Sequence, residues 1–493
     1  MRCAGATMVG ASSVRCYNAA LIALAFLGLA FALFPGRFNG DSIGQYQTGL
    51  AFTGFYDAHS VLDAVLIGVL SDFGKGPGPV FILQLVLYCG GLLVFTDALI
   101  EAGHPIAGQL VSLLALSPPL SFDYFEVQSD ALLSSLLLVL AAFCVRVYLK
   151  LGRLSLIGGF AGLCVLVLAL DTRLNALFVL LPLCLIARPV PTLKLRTLVI
   201  SLAVGLVVLG SASAVRSWIT GPVLKAGRSH LVYALIIYDL AGITARVGRD
   251  ASEGMLPDFP ANVARCYTPH QWDAFQGGIG PGNCLQVAQR AQQLVADRRT
   301  RAALTRLWLS EIAKHPLAYA AHRARSFGCL VRLGCYDVED MSPGFGRRPW
   351  DPPEARLTVS ARALAALAHV LWAGPLGYGV LWIAVLAAEL AAATCLLRRA
   401  SGEFAFLGAV LAGAGLLYLS SFAVFGVADE LRYLHPVILL ALVAAPITAS
   451  ALAEAAVGGR SHRREGKGLH LVERFGPDAI SRDEPSRTSA GSP

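Results

Sequence analysis

The sequence predicts an all-α polytopic membrane protein, and three observations carry that prediction. Hydrophobic residues make up 56% of the 493, charged residues only 15%, and the mean hydropathy is +0.62, a balance unlike that of soluble domains. The apolar residues gather in continuous Leu/Ala-rich runs, not in the short alternating segments of a β-barrel. Windows of about 20 residues, the length needed to cross a bilayer core, single out about ten such runs, centred near residues 26, 89, 112, 139, 163, 180, 206, 386, 413 and 445. The 105–118 and 173–187 runs are the weakest, being short.

Charge placement orients these helices. The net charge of +8 does not point to nucleic acid, because the basic residues cluster at span ends. Arg2 and Arg15 precede the first span, Arg146, Lys150 and Arg153 follow the fourth, and Arg188, Lys194 and Arg196 follow the sixth. Arg398 and Arg399 follow the eighth, and the tail carries "RSHRREGK" from Arg460. The positive-inside rule puts all of these, and both termini, in the cytoplasm. Asp41, Asp57, Asp123, Glu126, Asp171, Asp429 and Glu430 then fall at outward ends of spans. Outer loops are often merely less basic, but acids held tight against span ends are costly enough to point to function. Arg15, the apolar run and "AFA" at Ala30 to Ala32 also imitate a cleavable signal peptide, for which the run is long.

The elements follow in order. Residues 1–215 form an N-terminal membrane core of about seven helices, with a first outer loop at 36–77. Residues 216–361 hold most of the Pro, Gly and charged residues and predict a mainly helical extracytoplasmic domain between helices seven and eight. Its segment "RRTRAALTRLWLSEIAKHPLAYAAHRARSFGCL" reads as a helix kinked or restarted at Pro316, which lacks a backbone donor. Residues 362–457 supply the C-terminal membrane helices, and 458–493, rich in Ser, Arg, Gly and Pro, read as a disordered cytoplasmic tail.

Eleven cysteines divide by compartment. Cys266, Cys284, Cys329 and Cys335 lie in the outer domain, where an even count suggests two disulfides. Close spacing favours Cys266–Cys284 with Cys329–Cys335 among the three pairings, with four free thiols as the alternative. No CxxC or His/Cys spacing argues for zinc. The acidic run "DVED", Asp337 to Asp340, has the chemistry to hold a divalent cation, but such runs are more often simply solvated. No cofactor is firmly implied. No G-x-x-x-x-G-K-[ST] loop occurs, which argues against a nucleotide-driven enzyme.

Within "FNGDSIGQYQTG", Asp41 sits beside a membrane-grade run. Partial desolvation is expected to raise its pKa and make it a better proton acceptor; alternatively it marks the water interface or pairs with Arg37. Gln45, Gln47, Asp57 and His59 follow closely and are suited to holding sugar hydroxyls. Arg173 in "LDTRLNAL" and Arg432 in "DELRYLHP" offer forked donors for phosphate at outward span ends. The structural alternative pairs Arg173 with Asp171 and Arg432 with Asp429 or Glu430. In the outer domain His315, Tyr319 and Arg323 share a helical face at i, i+4 and i+8. They are expected to dock the domain onto the membrane core or to touch substrate, and Tyr238 and Asp239 of "YDLAGI" carry the same two readings.

These segments resemble bacterial multi-pass glycosyltransferases of the GT-C type, relatives of the dolichyl-phosphate-mannose protein mannosyltransferases. "GDSIGQYQTGLAFTGFYDAH" looks like their first outer loop, "TRLNAL" like their R-x-N-A-L segment, and "IIYDLAGI" like their Y-D-L-A motif. "WLSEIAKHPLAYAAHR" resembles their W-x-x-x-I-x-x-H-P-x-x-Y-x-x-H-R helix, and "RYLHP" their R-Y-x-x-P. The chain departs from the pattern at "DAHSV", where the family usually has prolines after the histidine. The resemblance implies a GT-C membrane fold in the bacterial inner membrane. It also implies transfer of a sugar from a polyprenyl-phosphate donor to a lipid, glycan or protein acceptor outside the cytoplasm. By analogy Asp41 is the general base, Arg173 and Arg432 steady the lipid phosphate, and Gln45, Asp57, His59, Asn175 and Tyr433 line the substrate. The partners are then the donor, the acceptor and membrane lipids, with no nucleic acid. The competing readings are an O-antigen ligase or polymerase, which expects a pyrophosphate-linked donor, and a transporter or lipid flippase, which expects ionisable groups deep within spans.

Overall fold

The computed structural model describes residues 4–57, 59–74, 76–117, 126–149, 156–186, 195–270, 272, 275, 284–335, 359–399 and 402–472. Asp123 and the Asp337–Asp340 run lie outside the described residues. The N-terminal half builds α1 (Ala4–Leu33), a two-residue strand β1 (Arg37–Phe38), α2 (Gly40–Ala51), α3 (Val61–Leu70), α4 (Gly78–Glu101) and α5 (Pro105–Ser112). A second short strand β2 (Glu126–Val127) leads into α6 (Ser129–Tyr148), α7 (Leu156–Thr172), α8 (Ala176–Leu183) and α9 (Leu195–Trp218). The segment expected from sequence to form the outer domain holds α10 (Val232–Val247), α11 (Phe259–Cys266), α12 (Leu285–Ala296), α13 (Arg298–Lys314) and α14 (Pro316–Leu330). The chain closes with α15 (Val359–Ala373), α16 (Gly379–Arg399), α17 (Glu403–Phe425), a 3₁₀ turn at Leu431–Leu434, and α18 (His435–Val472).

Among the described residues seven helical stretches are long and apolar enough to cross a membrane: Ser12–Leu33, Gly78–Glu101, Ser129–Tyr148, Leu198–Val223, Gly379–Leu397, Glu403–Phe425 and Leu431–Ala456. This makes the chain an all-α, multi-pass membrane protein. The runs near residues 112, 163 and 180 give shorter helices, of 8, 17 and 8 residues. The chain turns between Arg173 and Asn175, and Pro182 removes a donor inside α8. At the far end α18 continues to Val472, past the start of the expected tail. A helix nucleated by the apolar 435–456 stretch carries on through Arg, Lys, Glu and Leu, against a cost of about 1 kcal/mol for each of Gly458, Gly459, Gly466 and Gly468.

The core of the bundle lies where α4 packs along α6 and α1, and where α17 packs along α16, α18 and α8. Tyr88, Tyr418, Phe38, Phe81 and Phe95 are fully buried in it; between helices in lipid such burial stabilises by close packing, not by removal from water. Two details set up the end of the bundle where α2 and α6 begin. β1 and β2 pair in parallel, Arg37 opposite Glu126 and Phe38 opposite Val127, so the residues entering α2 and α6 arrive side by side. Asn39 then caps α2 through its Oδ1, which accepts from the Ser42 N–H at 2.8 Å, while Ser42 Oγ accepts from the Asn39 N–H at 2.8 Å. That reciprocal cap holds Asp41 in the first turn, where the helix dipole favours an acid. Behind it α2 and α3 touch backbone to backbone: a Cβ on Gly49 would meet Ala64 O at 2.2 Å.

The α10–α14 segment has its own core, built on Tyr238, Phe259, Phe275 and Leu304, with a Cys266–Cys284 disulfide inside it. A second disulfide joins Cys329 to Cys335. α13 and α14 are separate helices, broken at His315 before Pro316. The domain is seated on the connection between α17 and the 3₁₀ turn. Val427 packs into its core, the Trp272 N–H donates to Val427 O at 2.9 Å, and Arg323 Nη1 donates to Gly426 O at 2.6 Å.

Candidate active site

Five charged side chains from four segments meet at the end of the bundle where α2 and α6 begin. Asp130, in the first turn of α6, has a side chain only 1% exposed. Arg173, from the turn after α7, grips it with both arms, Nε donating to Oδ1 at 2.8 Å and Nη2 to Oδ2 at 2.7 Å, the fork that suits guanidinium to carboxylate. Arg432, from the 3₁₀ turn before α18, places Nε 3.4 Å from the same Asp130 Oδ2, pairs with Glu430, and donates from Nη2 to Asp41 Oδ2 at 2.9 Å. Tyr433 lies beneath both guanidinium groups, its ring centre 4.7 Å from Arg173 Cζ and 5.6 Å from Arg432 Cζ. The two like charges tolerate this closeness because Asp130, Asp41 and Glu430 are interleaved with them.

The Asp41 side chain keeps 44% of its surface open. Its carboxyl is pushed up by burial, but Arg432, His59 and Arg173 together more than offset this and hold it below the usual carboxylate range. The expected raised pKa is thereby corrected: sequence shows the lipid boundary but not the guanidinium groups that fold against it. Glu430 goes the other way, raised by burial first and by the neighbouring Asp41 and Asp130 carboxylates, against the opposing pull of Arg432 and Arg173.

Of the ion pairs expected for the two arginines, Arg432–Glu430 forms and Arg173–Asp171 is replaced. Arg173 takes Asp130 and not Asp171, which instead accepts from Arg216 Nε at 2.8 Å, Ser60 Oγ at 2.7 Å and the Leu62 N–H at 2.7 Å. Asp429 meets His270 Nδ1 at 2.7 Å, which leaves Glu430 as the neighbour of Arg432. Adjacent residues on a turn point in different directions, so chain proximity is a poor guide to pairing here.

Of the other expected site residues, His59 is exposed and close enough to Asp41 to bear on its charge. Gln45 is buried and faces inward, donating from Nε2 to Ser60 O at 3.2 Å and Ser129 Oγ at 3.4 Å. Asp57 fastens the first outer loop to the segment after α9: its N–H donates to Gly227 O at 3.0 Å and its carboxylate accepts from the Ser229 N–H. Asn175 lies in the turn leading into α8, two residues from Arg173. Asp130 was the residue sequence reasoning missed. The signal lies in "VQSDALLSS", an acid at the start of an apolar run, where Asp41 stands just after one.

The outer-domain motifs meet each other. Asp239, wholly buried on α10, receives the Trp308 Nε1–H at 2.9 Å and lies 2.5 Å from Arg323 Nη2 and 3.2 Å from His322 Nε2. Tyr238 Oη donates to Thr268 O at 3.0 Å. A Cβ on Gly242 would fall 2.2 Å from the His322 ring, so glycine there lets α10 and α14 close. Tyr319 packs against the domain core, and His315 at the helix break contacts Arg249. Arg323 Cζ lies 5.9 Å from the centre of the Tyr319 ring, so these two keep a shared face, and Arg323 reaches Gly426 at the end of α17. Among the described residues one group has metal-ligand spacing, His270 with Cys329 and Cys335, and its two sulfurs are joined in the disulfide. No protein-family model, curated protein or solved structure matches the chain.

Proposed function

We propose that the protein is a GT-C type glycosyltransferase that moves a sugar from a polyprenyl-phosphate donor to an acceptor hydroxyl on the outer face of the membrane. One observation carries this reading: an accessible carboxylate, Asp41, is hydrogen-bonded to a guanidinium, Arg432, that shares Asp130 with a second guanidinium, Arg173. A base and two phosphate-binding groups thus stand together where a lipid tail can stay in the bilayer and its head group can meet water. On arrival the donor phosphate competes for Arg432 and loosens its hold on Asp41. Asp41 then takes the proton of the acceptor hydroxyl as the oxygen attacks the anomeric carbon. The bond from that carbon to phosphate oxygen breaks with inversion, and the departing phosphate keeps the electron pair, its charge held by Arg173 and Arg432. The test is release of polyprenyl phosphate from a panel of polyprenyl-phosphate sugars by the purified protein in lipid. No release with any donor from a folded sample overturns the reading.

A transporter or flippase has one observation in its favour. Glu389, midway along α16, is buried, and neither carboxylate oxygen has a hydrogen-bond partner among the described residues, as expected of a proton- or ion-coupled path. Lipid scrambling that is lost in Glu389→Gln, with no sugar transfer, would select that alternative.

A further inference from the structure

At the opposite end of the bundle from Asp41 lies a cavity of about 430 Å³, lined by Arg15, Asn18, Thr96, Asp97 and Arg146 with the apolar Leu93, Val94 and Ile100. Helix direction fixes its side. Leu33 of α1, Gly78 of α4 and Ser129 of α6 are the ends nearest the acidic and guanidinium cluster, whereas Arg15, Asp97 and Arg146 lie towards the other ends of the same three helices.

The lining residues Arg15, Asp97 and Arg146 form a square of charges with Glu101 beside the cavity. Arg15 Nε lies 3.2 Å from Asp97 Oδ1 and Nη2 3.6 Å from Glu101 Oε2; Arg146 Nη1 lies 2.9 Å from Asp97 Oδ2 and Nη2 3.3 Å from Glu101 Oε2. Deeper in the cavity two side chains, each 1% exposed, present donors with no hydrogen-bond partner among the described residues, Asn18 Nδ2 and Thr96 Oγ1. Asn18 is oriented by its other end, where Oδ1 accepts from Ser112 Oγ at 3.1 Å. Leaving two buried polar groups unpaired is costly, and each guanidinium has five N–H donors, more than its carboxylate contacts use. The surplus hydrogen-bonding capacity of the wall is therefore of donors, and the fitting ligand presents several acceptor oxygens. The rim supplies the rest. Leu93 and Val94 are 40% and 41% exposed on the outside of a membrane-spanning helix, so the cavity opens towards lipid.

We infer that this cavity is a binding site for one membrane phospholipid, its phosphate diester taken by Asn18, Thr96, Arg15 and Arg146 and its chains lying along Leu93 and Val94. The site is separate from the proposed transfer site and does not depend on it.

The test uses the full chain purified in detergent, with native mass spectrometry after addition of phosphatidylglycerol, diacylglycerol with the same acyl chains, or glycerol phosphate. The expected result is one phosphatidylglycerol per chain and negligible occupancy by the other two. Thr96→Val keeps the side-chain shape and removes a hydroxyl; Asn18→Leu removes the amide. Each is expected to weaken phosphatidylglycerol about tenfold, the weight of one hydrogen bond to a charged group. Thermal melting without lipid reports whether each variant is folded, and either one alone suffices. Equal binding of diacylglycerol would overturn the inference in favour of a mere acyl-chain groove. Equal binding of glycerol phosphate would overturn it in favour of a soluble ligand. Undiminished phosphatidylglycerol in a folded variant would overturn it outright.

Discussion

Arg432 Nη2 donates to Asp41 Oδ2 at 2.9 Å across 391 residues of sequence. The pair closes the candidate site: Asp41 comes with the first outer loop and Arg432 with the turn before the last helix. If Asp41 is the base, Asp41→Asn should cut transfer by about 10²–10⁴-fold while leaving expression and membrane insertion unchanged. Steady-state transfer with a competent donor, alongside membrane fractionation, measures both. Transfer at the native rate would end the assignment.

Asp130 offers a sharper separation of structure from chemistry. It is buried and holds Arg173 bidentately, so Asp130→Asn leaves a guanidinium group without its counter-charge. The expected cost is about 3–5 kcal/mol, read as a lower melting temperature in detergent. Arg173→Lys keeps the charge but loses the fork; it should destabilise less than Asp130→Asn, yet weaken donor affinity more than it weakens stability.

Gly242 is a packing test of the α10–α14 domain. A methyl group there collides with the His322 ring, and Gly242→Ala should destabilise the domain by about 1–3 kcal/mol. Amide hydrogen exchange would show faster opening in α10 and α14, with α4 and α6 unaffected. Equal protection in both proteins would mean the helices can shift apart at no cost.

His322 gives the domain a pH dependence of fixed sign. Burial, the largest effect, holds its pKa below the ordinary value near 6.5, aided by Arg323 and Arg246 and opposed by Asp239; Tyr267 and Tyr238 also face the ring. Below pH 6.5 the unfolded chain binds a proton that the folded one refuses, so stability falls as pH drops through the folded value and is fully present above 6.5. The slope is at most about 1.4 kcal/mol per pH unit. Domain stability followed by Trp308 fluorescence should decline from pH 7 to 5.5, and His322→Gln should flatten that decline.

The sequence by itself determined the class of the molecule. Bilayer-length apolar runs leave the backbone one economical way to satisfy its hydrogen bonds in lipid, and helices follow. It also determined the break at Pro316, since a missing N–H is a local fact, and it singled out Asp41, Arg173 and Arg432 through their places at span ends. What only the tertiary structure decided is who meets whom. Asp130 joins Arg173 because α6 packs along α7 and α8, whose connecting turn carries the arginine, Asp171 goes to Arg216, Gln45 turns inward, and Asp41 is acidified by groups far away in the chain. Charge interactions act over a few ångströms of space, and helix packing, not sequence order, sets those distances.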